Sequence, residues 1–137
     1  EDVRAKRTIV AEAIFLNISE VKKTNEVNLP DDIGVINFMK VATGKDKTYE
    51  TMERAYYAKG LEKNDPRSGW SLGRRIDKTG TDIYWNYFTV NWYPSYPALM
   101  KAAASSTAWD ADKNYQNMLK IRDLRESVVI RKVMMLQ

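Results

Sequence analysis

Residues 84–93 read YWNYFTVNWY, and six of these ten residues are aromatic. Aromatic and β-branched residues favour strands, so the run predicts a β-strand over residues 83–93. Successive side chains of a strand point to opposite faces, which places Trp85 and Tyr87 on one face and Phe88 and Trp92 on the other. A sheet with one face in water alternates between apolar and polar residues. Because both faces of this strand carry large apolar groups, it predicts a sheet that is covered on both sides.

The segments on either side of this strand predict the order β, α, β, β, α, β from residue 35 onward. The predicted elements are a strand at 35–41, a helix at 46–61, strands at 70–76 and 83–93, a short helix from 95, a second helix at 109–125 and a strand at 127–136. Gly44 follows the first strand, and Gly80 supplies the turn of the central hairpin. This order is typical of an α+β, ferredoxin-like βαββαβ fold, in which a four-stranded antiparallel sheet carries its helices on one face. We assign residues 34–137 to this domain.

Residues 1–33 are predicted to be an N-terminal arm and linker. The apolar residues Val10, Ile14, Ile18 and Val21 are spaced as on one face of a helix, although TIVAEAIFL also fits a strand. The helix is the preferred interpretation. If the arm is an appendage, deleting residues 1–30 leaves a folded dimer and lowers the state of assembly.

The second face of the sheet needs a cover, and the simplest one is a second copy of the chain packed face to face about a two-fold axis. The last predicted strand supports this, because it too is apolar on both faces. The candidate residues of this dimer interface are Trp85, Tyr87, Phe88, Val129, Val133 and Met135.

Composition excludes several classes of function. The chain has no histidine and no cysteine, which removes the commonest general base and the usual ligands of zinc, copper and haem. We therefore expect no metal site and no cofactor. Lys and Arg number 22 against 18 Asp and Glu, and the two signs are interleaved, which argues against nucleic acid as a partner. No apolar run reaches the length of a membrane span. A chain that begins at Glu1 fits a secreted protein, periplasmic or extracellular, with the cytoplasm as the alternative.

Three segments together resemble a known superfamily. They read VINFMKVATGKDKTYETMERAYY, SGWSLGRRI and YWNYFTVNWYPSYPALMKA, within residues 35–136. They are similar to the dimeric α/β barrel superfamily, which includes antibiotic-biosynthesis-monooxygenase-like and stress-responsive barrel domains and uncharacterised exported bacterial members. The resemblance implies a homodimer with its sheets face to face. Haem-degrading and chlorite-dismutase-like members need a histidine that this chain lacks.

Cofactor-free quinone-forming monooxygenases of this superfamily use polar groups such as Asn and Trp in a pocket between helices and sheet. Arg74 and Arg75 beside Trp70 have the chemistry to hold an anion. The structural alternative is that one arginine is solvated at a sheet edge and the other pairs with an acid such as Asp77 or Glu53. Tyr56 and Tyr57 likewise have two interpretations, in which one packs on the sheet and the other lines a pocket or meets a neighbour. The candidate pocket residues are Tyr56, Trp70, Arg74, Asn86 and Trp92. No residue is assigned a catalytic role.

Three functions are compatible with these patterns. The preferred one is a non-enzymatic, homo-oligomeric module that binds a ligand or partner or builds an assembly. A cofactor-independent, monooxygenase-like enzyme acting on a small molecule is the first alternative. A binder of anionic surfaces or nucleic acid is the second.

Overall fold

The structure is a computed structural model that describes residues 13–23, 33–60, 65–78, 82–105 and 112–131, with only the backbone at 57–60. These residues form five strands and three helices. The strands are β1 (Phe15–Lys22), β2 (Ile33–Val41), β3 (Gly69–Arg75), β4 (Tyr87–Tyr93) and β5 (Arg122–Arg131), and the helices are α1 (Asp46–Gly60), α2 (Tyr96–Ala104) and α3 (Lys113–Leu119). The α+β class expected from the sequence is confirmed.

The five strands form one sheet in the order β1-β3-β4-β2-β5, and every neighbouring pair is antiparallel. The register pairs Trp70 with Asn91 and Leu72 with Thr89, so these side chains share one side of the sheet. The helices pack on this side, which we call the covered face. The opposite side, on which Gly73 pairs with Phe88, is the open face.

The hydrophobic core lies between the covered face and the helices. Tyr49 of α1 and Met118 of α3 pack there against side chains of three strands, and all of them are buried. The strand residues of this core are Met39, Val41, Trp70, Leu72 and Tyr87. Burying each large apolar side chain contributes roughly 1.5 to 3 kcal/mol, which holds the helices on one side of the sheet.

The predicted turn and helix starts after two of the strands are confirmed. Gly44 has a φ of 77°, a left-handed conformation that glycine adopts without strain, at the turn between β2 and α1. Ser95 is the N-cap of α2, and its hydroxyl accepts a hydrogen bond from the backbone N–H of Ala98. Pro97 lies in the first turn of that helix, where a missing N–H costs nothing.

The predicted strand at 83–93 is too long, because β4 begins at Tyr87. Its pairing with β2 is continued at this end by a side chain. The Oδ1 of Asn86 accepts a hydrogen bond of 2.7 Å from the backbone N–H of Val41, and its Nδ2 donates one of 3.1 Å to the carbonyl of Val41. The amide of Asn86 thus takes the place of a backbone partner.

The predicted helix at 109–125 is wrong at its C-terminal end. Within the described residues α3 ends at Leu119, where the N–H groups of Lys120 and Ile121 bond to carbonyls three residues earlier and tighten the last turn. The carbonyl of Ile121 then accepts a hydrogen bond from the N–H of Ala42, which joins this turn to the end of β2. The last strand therefore begins at Arg122 and not at residue 127; residues 132–137 lie outside the described part of the chain.

The helix preferred for the N-terminal segment is wrong at Phe15–Lys22, which is the strand β1. It pairs with β3 at seven positions, with an irregularity in register between Asn17 and Ser19. Ile18 and Val21 pack against the core from this strand. Deleting residues 1–30 would therefore remove an edge strand of the sheet and part of its packing.

We expect Val21→Ala to lower the free energy of unfolding by about 1 to 2 kcal/mol, because Val21 is a partly buried residue in contact with the core. Leu16→Ala on the same strand is the matched control, since Leu16 is 47% exposed, and it should change stability by less than about 0.5 kcal/mol. Urea unfolding measures both. An unchanged stability of Val21→Ala would mean that β1 is not part of the cooperative unit.

Candidate functional site

The open face of the sheet is a broad apolar depression with a volume of about 710 Å³. It receives side chains from all five strands and from Trp85, which precedes β4. Its principal apolar residues are Phe15, Ile36, Phe38, Trp85, Phe88, Val90, Trp92 and Ile130. No helix covers them among the described residues, so the predicted second apolar face is present, and its cover by a partner stays a prediction.

The aromatic rings of the open face touch one another in a continuous row. Phe88 meets Phe15 edge-on with centroids 4.8 Å apart, and Phe38 lies between Phe88 at 6.5 Å and Trp85 at 4.9 Å. At the end of the row, the guanidinium carbon of Arg75 lies 4.6 Å from the ring centroid of Trp85. Each aromatic pair of this kind contributes roughly 0.5 to 1.5 kcal/mol beyond the burial of its rings, which favours the observed arrangement.

Two glycines let the aromatic rings lie close to the sheet backbone. A Cβ on Gly73 would stand 2.3 Å from the ring of Phe88, and one on Gly34 would stand 2.8 Å from Ile130 and 3.0 Å from Trp92. Real Cβ atoms do not approach so closely, so each position requires glycine for the observed packing. The missing side chains make room for rings that lie across the strands.

The rim of the open face is polar. Lys22 and Glu20 on β1 form an ion pair of 2.8 Å at one edge, and Glu126 on β5 is exposed at the other. An apolar centre inside a polar rim is the anatomy of a protein interface.

We expect Gly73→Ala to lower the free energy of unfolding by about 1 to 3 kcal/mol, because the new methyl group displaces the ring of Phe88 and breaks its contact with Phe15. Ser71→Ala, two residues earlier on the same strand and face, is the matched control and should stay within about 0.5 kcal/mol of the parent. Thermal or urea unfolding is the measurement. If both variants match the parent, the ring does not lie on Gly73.

The covered side holds a chain of polar groups under α1. The hydroxyl of Tyr87 lies 2.8 Å from Oε1 of Glu50 and 3.0 Å from Oδ1 of Asp46, and Nη1 of Arg74 donates to the same oxygen of Glu50 at 3.2 Å. Burial and then the hydrogen bond with Glu50 raise the pKa of Tyr87. These groups tie the first two turns of α1 to β3 and β4.

Glu53 is a buried carboxyl group in the core. It accepts a hydrogen bond of 2.6 Å from the hydroxyl of Tyr49, and its Oε1 lies 3.8 Å from Nε of Arg122. Oε2 of Glu53 has no hydrogen-bond partner among the described residues. Burial raises the pKa of Glu53 and outweighs the opposing effects of Arg122 and Tyr49. Nη1 of Arg122 lies 2.9 Å from the sulfur of Met39, a weak acceptor for a buried cation.

A second depression, which we call the helix cleft, lies on the covered side and has a volume of about 780 Å³. It is bounded by α1, α2, α3, residues 65–67 and the end of β4. Its described lining residues are Thr51, Met52, Ala55, Tyr56, Asp65, Pro66, Arg67, Tyr93, Ala102, Ser105, Asp112, Asn114 and Met118. Arg67 is buried there, paired with Asp65, and its Nη1 donates to Oδ1 of Asn91 at 3.0 Å.

The five predicted pocket residues do not come together. Tyr56 lines the helix cleft, whereas Trp70 lies inside the core and Trp92 lies on the open face. Arg74 pairs with a carboxylate of α1, and Asn86 pairs with the backbone of β2. Of the structural alternative for the two arginines, the pair with Asp77 is present: Nε of Arg75 lies 2.8 Å from Asp77, and its hydrogen bond lowers the pKa of that carboxyl to about 2. The other arginine, Arg74, is not left to solvent but pairs with Glu50.

The predicted interface residues divide between the two sides of the sheet. Trp85 and Phe88 lie on the open face. Tyr87 does not, because it is buried under α1. Val129 pairs with Val35 on the covered side, where it is 58% exposed. The remaining two, Val133 and Met135, lie outside the described residues.

Sequence reasoning missed Arg67 and Tyr93 as cleft residues and named Glu53 only as a partner for an arginine. Arg67 precedes β3 in a loop, and only the fold brings it to Asn91 and Asp65. The sequence does contain a signal for Glu53. It lies one helical turn after Tyr49, on the face of α1 that is buried, and a carboxyl group at a buried position indicates a polar contact in the core.

No family model matches the chain, and no curated protein matches it. In the part of the chain that the structure describes, no helix is both long and apolar enough to cross a membrane. The same part contains no group of three or more acidic, histidine or cysteine side chains placed to hold a metal ion.

We expect Glu53→Gln to change how stability depends on pH. Because the native pKa of Glu53 is raised above its ordinary value of 4.5, its contribution is fully present below that value and is lost as the pH rises through the native pKa. The neutral amide cannot show this loss. The free energy of unfolding of the variant, relative to the parent, should therefore rise with pH above 4.5.

Urea unfolding at a series of pH values between about 4 and 8 measures this difference. Met100→Leu, an exposed substitution that involves no titratable group, is the control and should give a difference that stays constant over the range. A relative stability of Glu53→Gln that falls with rising pH would mean that Arg122 stabilises the carboxylate more than burial destabilises it.

Proposed function

We propose that the chain is a non-enzymatic homodimeric module of the ferredoxin-like, dimeric α/β barrel kind, in which the open faces of two copies pack together. The spatial order of the other four strands supports this. Across the sheet they lie as β3-β4-β2-β5, all antiparallel, which is the arrangement of the four strands in a βαββαβ sheet of that fold. β1 extends the sheet by one strand beyond that pattern.

The observation that carries the proposal is the aromatic row of the open face. Phe15, Phe38, Trp85 and Phe88 form it, and Phe15 is 55% exposed in the single chain. The other three rings are partly exposed, and contiguous apolar patches that remain exposed mark interaction sites in soluble proteins. At roughly 25 cal/mol per Å² of apolar surface, covering the exposed parts of these rings favours association.

The size of the open face fits a stable dimer. Five strands about 4.8 Å apart and seven residues long, at about 3.4 Å per residue, give a face of roughly 24 by 24 Å. The accessible area of such a corrugated surface exceeds this projection of roughly 570 Å², and a standard interface buries about 800 Å² on each partner. A second copy supplies a face of the same size and chemistry.

The rim of the face is compatible with two-fold symmetry. A two-fold axis that runs parallel to the strands sets β5 of one copy opposite β1 of the other. Glu126 of each copy then lies opposite β1 of the other copy, four residues along the strands from the level of Lys22.

We expect Ile36→Glu, in the apolar centre of the open face, to convert the dimer to a monomer by raising its Kd at least 100-fold. A fold change of this size corresponds to about 2.7 kcal/mol, which is modest for two unpaired carboxylates brought into one apolar interface. Sedimentation equilibrium or light scattering distinguishes the 15.9 kDa chain from twice that mass.

Val129→Glu is the matched control, because Val129 is also apolar and partly exposed but points to the other side of the sheet. It should leave the dimer intact. Circular dichroism confirms that both variants are folded. A parent chain that stays monomeric at high micromolar concentration, or a dimer that Ile36→Glu leaves unchanged, would overturn the proposal.

A further inference from the structure

The helix cleft lies on the opposite side of the sheet from the proposed dimer interface. Its floor includes Tyr93, which pairs with Ile33 on the covered face, and its walls come from the helices. A molecule in the helix cleft and a partner on the open face therefore use different residues. What binds in the cleft can be tested whether or not the chain forms a dimer.

One wall of the cleft is an apolar helix that is only partly buried. The sequence of α2, YPALMKAAA, is mostly apolar, yet none of its residues is buried. Ala102 and the C-cap Ser105 face the cleft, and Met52, Ala55 and Tyr56 of α1 line the opposite wall. The cleft thus separates two helices whose facing walls are largely apolar, and a gap of about 780 Å³ falls in the range of small-molecule sites.

The charged residues that line the described part of the cleft are already paired. Arg67 forms an ion pair with Asp65, and Asp112 accepts hydrogen bonds from the backbone N–H groups of Asn114 and Tyr115 at the start of α3. A charged ligand would have to lose its hydration here without gaining an opposite charge, which is costly. An uncharged ligand does not meet this cost.

Two phenol groups add hydrogen-bond donors to the apolar walls. Tyr56 and Tyr93 both line the cleft, and burial raises the pKa of each, so both keep their hydrogen at neutral pH. Neutral phenols donate to oxygen acceptors such as carbonyl groups. Polar groups placed among the apolar residues of a pocket are what orients a small ligand.

We propose that the helix cleft binds a small uncharged molecule with an apolar, ring-sized body and at least one acceptor oxygen, which lies between α1 and α2 and is oriented by Tyr56 and Tyr93. The flexible side chains of Met52 and Met118 adapt the walls to its shape. This inference goes beyond self-association and does not depend on it.

The first test uses coumarin, a neutral ring system with a lactone carbonyl, and protein labelled with ¹³C in its methionine methyl groups. We expect the methyl signals of Met52 and Met118 to shift saturably, while that of Met100 on the outer side of α2 stays in place. Coumarin-3-carboxylate has the same rings and a negative charge, and we expect it to bind at least tenfold more weakly. No shift of Met52 and Met118 at millimolar coumarin would overturn the proposal, and equal binding of the anion would overturn the choice of an uncharged ligand.

The second test fills the cleft from α2. Ala102→Trp places a large ring in the cleft and should raise the Kd for coumarin at least tenfold, whereas Ala103→Trp, exposed on the same helix and outside the lining, should not change it. An unchanged methyl signal of the core residue Met39 shows that each variant is folded. If Ile36→Glu abolishes coumarin binding and Ala102→Trp does not, the molecule binds on the open face and the proposal is wrong.

Discussion

Tyr49 fixes α1 to the sheet and thereby decides which side of the sheet is covered. Its ring meets that of Tyr87 edge-on at 4.9 Å, and its hydroxyl donates to Glu53 and lies 3.0 Å from the sulfur of Met39. One residue thus joins the helix to β2, to β4 and to the buried carboxyl group. With the helices held on this side, no described helix covers the aromatic residues of the opposite side.

The composition of the strands predicted more of the fold than the spacing of the helices did. The run at 84–93 predicted apolar groups on both faces, and the register assigns Tyr87 to the helices and Phe88 to the open side. The predicted ends of the strands and helices were wrong where a side chain or a turn replaces regular backbone hydrogen bonding. Asn86 substitutes for a strand residue, and Arg122, placed on a helix by its spacing, begins a strand because the preceding turn bonds to β2.

The candidate sites were harder to predict, because residues distant in sequence must be brought to the same side of the sheet. Trp70 and Trp92 are both aromatic strand residues, but they sit on opposite faces because Trp70 pairs with Asn91 and not with Trp92. The residue pattern of a single strand does not show how that strand is aligned with its neighbour. The position of Arg67 in the cleft likewise depends on its hydrogen bond to Asn91, a residue 24 positions away in the sequence.

Asn86 helps to fix the register of β4 against β2. Its amide holds both the N–H and the carbonyl of Val41, so the alignment of β4 with β2 is anchored at one end by a side chain that has only one correct partner. A slip of one residue would exchange the two faces of β4 and bring aromatic residues of the open face under the helices. Such a misaligned chain would also forfeit both hydrogen bonds of the amide, so this one side chain adds a local cost to the wrong register.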